Sequence, residues 1–251
     1  MGDLDGLGIV ITGGSGDIGA AMGVEVCRRG AAVTLLDRKS LGESAPWVDR
    51  VRKHGKAAYV QADVRDRAGI ESALKAIDPL HVVISNAGIV QPAPFLEVTQ
   101  EQWQEHLDIN LTGCFNVGQA AARLMLDRGR PGRIIFTGSW VGDIPWPEDS
   151  AYSASKAGVK LLAMSMAREL SPQGILVNVI APGIVNAGLA AQVMAKDPLF
   201  KERVSKVIPL GYPSSAEQVA KAAAFLCSAD SDYITGSVLL VDGGCSLHYF
   251  E

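Results

Sequence analysis

The stretch from Ser139 to Lys156 places a hydroxyl, a phenol and an ammonium close together in the chain: Ser139, Tyr152 and Lys156. Tyr152 and Lys156 are four residues apart, so a helix beginning near Ser150 stacks them on one face. That face continues through Val159, Ala163, Met166 and Leu170, in the steps of three and four that mark a core-facing stripe. A charged lysine on the extension of such a stripe is costly unless something offsets its desolvation. That conflict marks a site.

A second stretch able to do chemistry lies near the start. Residues 12–19 read TGGSGDIG, between a short apolar run and a helical pattern whose inner face is Ile18, Met22 and Val26. A glycine-rich strand-to-helix turn lets backbone approach a pyrophosphate, whose charge the helix N-terminus stabilises. The G-x-G-x-x-G string at Gly14, Gly16 and Gly19 is a weak signal alone. Asp37, after the second apolar run, favours dinucleotide binding over a mere tight turn. A carboxylate there can accept from the adenosine ribose hydroxyls and would repel a 2′-phosphate. NAD is therefore expected over NADP, with Arg38 the contrary sign. Asp17 is expected to act as the helix N-cap.

The elements that must position these groups are legible as apolar runs. Strands are expected at Gly8–Thr12, Ala32–Leu36, Ala57–Gln61, His81–Ser85, Arg133–Thr137, Leu176–Ile180 and Ser237–Val241. Most are continuously apolar, as in parallel strands covered on both faces, and helical patterns fill the gaps. This is the rhythm of an α/β, doubly wound, seven-stranded parallel sheet with helices on both faces, expected to form one domain over residues 1–251. Asp63-Val64 and Ser85-Asn86-Ala87-Gly88 then end strands at the carboxyl edge, where such sheets bind ligands. Asp63 could equally cap a turn and Gly88 permit a bend. A long helix from Thr99 to Arg128 carries the stripe Trp103, Leu107, Leu111, Cys114, Gly118, Ala121 and Met125. Asn110 borders that stripe, either as a satisfied structural amide or as part of a site.

Composition narrows the function. With a net charge of −4 there is no basic field for a phosphate backbone, so nucleic acid is not expected as a partner. The 4 cysteines are scattered and the 4 histidines show no ligand spacing, so buried thiols and no metal are expected. No apolar run approaches a membrane span. The start, MGDLDGLGIV, suits neither a signal peptide nor myristoylation, and a cytoplasmic protein is expected. No G-x-S-x-G elbow supports a serine hydrolase.

Taken in order, these pieces resemble the short-chain dehydrogenase/reductase family in its compact single-domain, Rossmann-type form. The resemblance runs from TGGSGDIG through Asp37, Asp63-Val64, SNAG at 85–88, Asn110, Ser139 and YSASK at 152–156. It continues through Asn178, Pro182-Gly183 and ITGSVLLVDGG at 234–244. It implies a catalytic tetrad of Asn110, Ser139, Tyr152 and Lys156. Tyr152 would exchange a proton with the substrate oxygen while the nicotinamide exchanges a hydride. Lys156 would favour the phenolate and bond the nicotinamide ribose, Ser139 would hold the substrate oxygen, and Asn110 would position a water beside Lys156. Cofactor contacts are implied at Gly13, Ser15, Asp17, Ile18, Gly19, Asp37, Asp63, Val64, Asn86, Ala87, Gly88, Tyr152, Lys156, Pro182, Gly183 and Val185. The family's usual glycine is Asp17 here, its Asn-Asn-Ala-Gly has become Ser85-Asn86-Ala87-Gly88, and a frequent carboxamide-binding threonine is Ala187, with Asn186 as a candidate replacement.

Substrate-facing segments are expected at Val90–Leu96, Trp140–Pro147, a lid over residues 186–213, and the tail Cys245–Glu251. Ser139 and Tyr152 would touch substrate, and Trp140 and Trp146 would offer it a flat apolar wall, or else pack a loop core or subunit interface. Lys196, Lys201, Arg203 and Lys206 are expected on the lid's solvated face. The leading expectation is an NAD-dependent enzyme interconverting a secondary alcohol (polyol, sugar or cyclic) and its ketone. The alternatives are a 3-oxoacyl-thioester reductase and, in another class, a nucleotide-sensing binding protein. The family resemblance also implies a homotetramer.

Overall fold

The computed structural model describes residues 2–196 and 198–247. Seven parallel strands form one sheet in the order β3-β2-β1-β4-β5-β6-β7. They are β1 Gly8–Thr12, β2 Ala32–Asp37, β3 Ala57–Gln61, β4 Val82–Ser85, β5 Arg133–Thr137, β6 Leu176–Pro182 and β7 Val238–Val241. His81 falls just outside β4, and its ring nitrogen Nδ1 accepts a hydrogen bond from the Gly8 backbone N–H.

Alternation along each strand divides the core. Ile9, Ile11, Val33, Leu35, Val82, Ile84, Ile135 and Ile180 face one layer, which includes α1 (Asp17–Arg28), α2 (Leu41–Arg52) and α9 (Ala216–Cys227). Val10, Leu36, Val83, Ile134, Phe136, Val177 and Val179 face the other, with α3 (Arg67–Lys75), α5 (Gly113–Asp127) and α6 (Ser150–Leu170). Burial on both faces is why the runs are apolar throughout. A third, smaller apolar cluster joins Trp140 and Val141 to α7 (Gly188–Lys196) and α8 (Pro198–Val207) through Met194, Val204 and Val207.

The expected helix from Thr99 to Arg128 has a seam. Thr99 caps α4 (Gln100–His106), a π-helical turn spans Leu107–Thr112, and α5 continues to its C-cap at Arg128. A π turn holds an extra residue and rotates the helix beyond it. Ile109 and Asn110 are therefore fully or nearly fully buried, while Leu107 and Leu111 are only half-buried. The uniform stripe is corrected there. Among the described residues no helix is long and apolar enough to cross a membrane, and no cluster could hold a metal ion.

Candidate active site

β1 and β4 lie side by side at the centre of the sheet, yet α1 and α5 pack on opposite faces. Their carboxyl ends diverge into a cleft of about 430 Å³. Gly13, Ser15, Asp17, Ile18, Gly19, Asp37, Asp63, Val64, Asn86, Ala87, Gly88, Tyr152 and Lys156 all line it.

The glycine turn is shaped by what a side chain would strike. Gly13 has a φ of +65°, and a Cβ there would fall 2.8 Å from the Ala87 Cα. A Cβ on Gly19 would come within 2.3 Å of the Gly13 carbonyl oxygen. Gly16, by contrast, has room. The structure places the N-cap of α1 at Gly16, with no side-chain cap, and Asp17 is the first helical residue. Asp17 as N-cap is thus corrected. Its carboxylate accepts instead from the Gly188 N–H (2.9 Å) and, weakly, from Trp47 Nε1 (3.5 Å). The first amides of α1 are left without a side-chain cap, and the buried Ser15 Oγ has no partner. Uncapped amides at a helix start and an orphaned hydroxyl beside them fit a dinucleotide pyrophosphate.

At the β2 end of the cleft, Asp37 Oδ2 accepts from the Ser15 N–H (3.0 Å) and Oδ1 from the Lys39 N–H (3.3 Å). Lys39, unremarked in the sequence, also lines the cleft. Its ammonium donates to the Ser15 carbonyl (3.2 Å) and lies 4.7 Å from the centre of the Trp47 ring. Asp63 both lines the cleft and caps a turn, accepting from Arg65 N–H (2.9 Å) and guanidinium (2.6 Å). The Arg65 side-chain hydrogen bond holds its carboxyl below the usual range.

The floor is bolted by tertiary hydrogen bonds. Asn86 Nδ2 donates to the Thr12 carbonyl (3.1 Å) and its Oδ1 accepts from Thr137 Oγ1 (3.2 Å), tying the ends of β1, β4 and β5 together. Lys156 is 4% exposed; its Nζ donates to the Thr137 carbonyl (2.8 Å) and lies 5.5 Å from the Tyr152 ring centre. Asn110 Oδ1 accepts from the Ile89 N–H (2.8 Å), and its Nδ2 donates to the Ile89 carbonyl and Ser155 Oγ (3.0 Å each). A Cβ on Gly88 would meet both Asn110 Oδ1 (3.1 Å) and Lys156 Nζ (3.5 Å), so that glycine lets the two groups approach. Ser139 follows β5 and opens a short turn, its Oγ accepting from the Val141 N–H (3.4 Å). Gly142 of that turn packs against the Lys156 backbone, which sets Ser139 beside the start of α6.

Several residues expected to contact cofactor or substrate are not part of the lining of this cleft. Pro182, Gly183 and Val185 do not line the cleft: Val185 joins the core, and Gly183 backs onto Asp242, 2.6 Å from where its Cβ would be. Ala187 and Gly188 line it instead, and Asn186 does not. Trp140 is 4% exposed and edge-on to Trp146 (5.4 Å between centres), so the pair form a loop core beneath the lid helices rather than a cleft wall. Arg203 is exposed on α8, as expected of the lid's solvated face, and its guanidinium also lies 4.6 Å from the centre of the Trp146 ring. Of the tail Cys245–Glu251, the last four residues lie outside the described residues. Leu36, Ala62, Ile89, Ile109 and Thr137 also line the cleft though no motif marks them, as does Val90, the first residue of the expected substrate-facing segment Val90–Leu96.

Known proteins resemble this chain along most of its length. A family model described as enoyl-(acyl carrier protein) reductase matches residues 14–246. The chain is 38% identical over 251 residues to 3beta-hydroxysteroid dehydrogenase 1 of Eggerthella lenta, covering 98% of this chain and 96% of that one. It is 36% identical over 250 residues to L-2,3-butanediol dehydrogenase of Corynebacterium glutamicum, covering 94% and 96%. A solved gluconate 5-dehydrogenase from Burkholderia cenocepacia J2315, in complex with NADP and tartrate, aligns with a TM-score of 0.91 at 30% identity, covering 98% and 97%. Fold, cleft and sequence agree: the chain is an oxidoreductase and belongs to the short-chain dehydrogenase/reductase family.

Proposed function

We propose that the protein is an NAD-dependent dehydrogenase that interconverts a secondary alcohol, cyclic or polyhydroxylated, and its ketone. The observation that carries this reading is the buried Lys156 ammonium, one helical turn from Tyr152 on the wall of the glycine-turn cleft. A nicotinamide dinucleotide, when bound, supplies the hydride acceptor or donor. Tyr152 is the general acid/base: in oxidation its phenolate takes the alcohol proton, and in reduction its phenol returns one. Lys156 supplies the positive charge that stabilises the phenolate. Ser139 holds the substrate oxygen by a hydrogen bond. Asn110 is a positioning residue, fastening the Gly88–Val90 segment to α6 through Ile89 and Ser155.

NAD is favoured by the Asp37 carboxylate, which faces the ribose end and repels a 2′-phosphate. Arg38 and Lys39 line the same end, and the Burkholderia relative binds NADP, so the preference needs its own test. The relatives' names, a hydroxysteroid, a butanediol and a gluconate, point to hydroxyls flanked by carbon on both sides. Residues 186–213 act as the lid over that substrate. Exposed Phe115, Leu161 and Met164 on α5 and α6 support assembly as a homotetramer through these helices.

The deciding experiment is a screen of secondary alcohols and 3-oxoacyl thioesters with NAD and NADP in parallel, beside Tyr152→Phe. Turnover of an alcohol with NAD that Tyr152→Phe abolishes is expected. A clear NADP preference overturns the Asp37 reading, exclusive thioester turnover overturns the substrate class, and no turnover at all favours a nucleotide-binding protein. Asp37→Ala is expected to relax the preference by about tenfold or more towards NADP, about the loss of one like-charge repulsion. A monomer by light scattering would refute the assembly.

A further inference from the structure

The first residue of α1 is tied to the first residue of the lid helix α7. Asp17 Oδ2 accepts from the Gly188 N–H at 2.9 Å, joining positions 171 apart in the chain. The contact answers a local deficiency. The Ala191 N–H donates to the Ala187 carbonyl, which makes Ala187 the N-cap of α7, and a methyl side chain has no oxygen to offer the helix's unbonded amides. The opposite wall of the cleft supplies the carboxylate. It is the residue that stands where the family resemblance expects glycine.

The surroundings describe a hinged cover. Just before α7 the chain is pinned to the body: the Asn186 N–H donates to the Ser214 carbonyl (2.7 Å), and the Ser214 N–H donates to that of Ile184 (3.0 Å). The far side of the lid rests on the Trp140 cluster through Met194, Val204 and Val207. Between these anchors Gly188 holds a φ of +52°, a conformation that favours glycine, and a Cβ there would meet nothing within 4 Å. Backbone freedom, not crowding, is what that glycine provides. Both Asp17 and Gly188 line the cleft, so the bond between them joins the start of α7 to the glycine-turn side of its wall.

We propose that Asp17 is a positioning residue for cofactor retention, capping α7 from across the cleft and so fastening the front of the lid over the bound dinucleotide. The kinetic half of this rests on the dinucleotide reading; the structural half does not. Breaking the cap releases the first turn of α7 and opens the route by which the dinucleotide leaves.

Amide hydrogen exchange on the full-length protein without dinucleotide, followed by mass spectrometry over residues 186–196, tests the structural half. Asp17→Ala is expected to speed exchange at the start of α7 about fivefold, in the range of a lost helix cap. Asp17→Asn, which keeps an accepting oxygen, is expected to stay within about twofold of the parent. Ala187→Thr, which supplies a local cap, should restore slow exchange in the Asp17→Ala background. Stopped-flow release of NADH, or of NADPH if the parent prefers it, is expected to quicken about fivefold in Asp17→Ala and to stay within about twofold of the parent in Asp17→Asn. Unchanged exchange in Asp17→Ala overturns the cap. Locally faster exchange with unchanged or slower dinucleotide release overturns the link to retention, and would leave Asp17 chiefly repelling the pyrophosphate. A protein that binds no dinucleotide at all would fail the oxidoreductase reading while the exchange result still stood.

Discussion

On the floor of the cleft, polar side chains are bonded to backbone from distant parts of the chain. Asn86 bonds to Thr12, Lys156 to Thr137, and Asn110 to both backbone atoms of Ile89. The loop before α6 and the first turn of that helix are built differently. Asp149 Oδ1, Ser150 Oγ and Ser153 Oγ are buried without a hydrogen-bond partner, and Glu148 is a non-glycine residue at a φ of +70°. Each orphaned atom costs about 1–3 kcal/mol, and the left-handed residue a similar amount. The floor is thus preorganised for chemistry, whereas the loop holds strain beside the expected substrate side. Ser15 Oγ is the floor's exception, and it sits in the glycine turn where an anion is expected.

If Lys156 belongs to the chemistry, removing its charge should harm turnover and spare the fold. Lys156→Met keeps the apolar stem of the side chain and deletes a buried ammonium. We expect kcat to fall about 10³-fold, within the range of general acid–base effects. We expect the melting temperature to hold or rise, because a charge has left the interior. Parallel loss of both kcat and stability would make the lysine a structural member of the floor instead.

Asn110 should show the reverse balance. Asn110→Ala deletes three hydrogen bonds and leaves the Ile89 N–H and carbonyl without their partner. A loss of about 2–3 kcal/mol is expected, or about 5–10 °C by thermal melting in a chain of this size. A shift under about 2 °C would mean that the floor is not held at this point.

The contrast also explains what could be read from the chain alone. Sheet and glycine turn were legible because local rules dictate them: strands covered on both faces are apolar throughout, and Gly13 and Gly19 are required by backbone approach. Lys156 was legible as a misfit on an apolar stripe. The π turn at Leu107–Thr112 was not, because each side of it keeps an ordinary helical period and only the phase between them changes. Nor could the pairing of Asp17 with Gly188 or the tether from Lys39 to Ser15 be read, since each joins segments distant in sequence. An aspartate before Tyr152 looks no different from any solvated acid until its surroundings are known.

Those surroundings push the Asp149 carboxyl up to about 6, first through burial and then through the neighbouring charge of Glu148. With the folded-state value above the unfolded one, the fold favours the protonated acid. The associated stability is fully present below about pH 4, near the ordinary carboxylate value, and is lost as the pH rises through about 6. Above that pH the loop carries a poorly solvated charge. Asp149→Asn should therefore stabilise the protein at pH 8 by about 1 kcal/mol once solvent screening is allowed for, or about 2–4 °C in melting temperature. Below about pH 4 the gain should shrink towards zero, because the acid is then protonated in the folded and the unfolded parent alike. Melting curves of the two proteins across this range measure the difference directly. An equal gain at both ends would mean that the introduced amide improves packing or capping, and that the carboxyl's charge is not what distinguishes this loop from the floor.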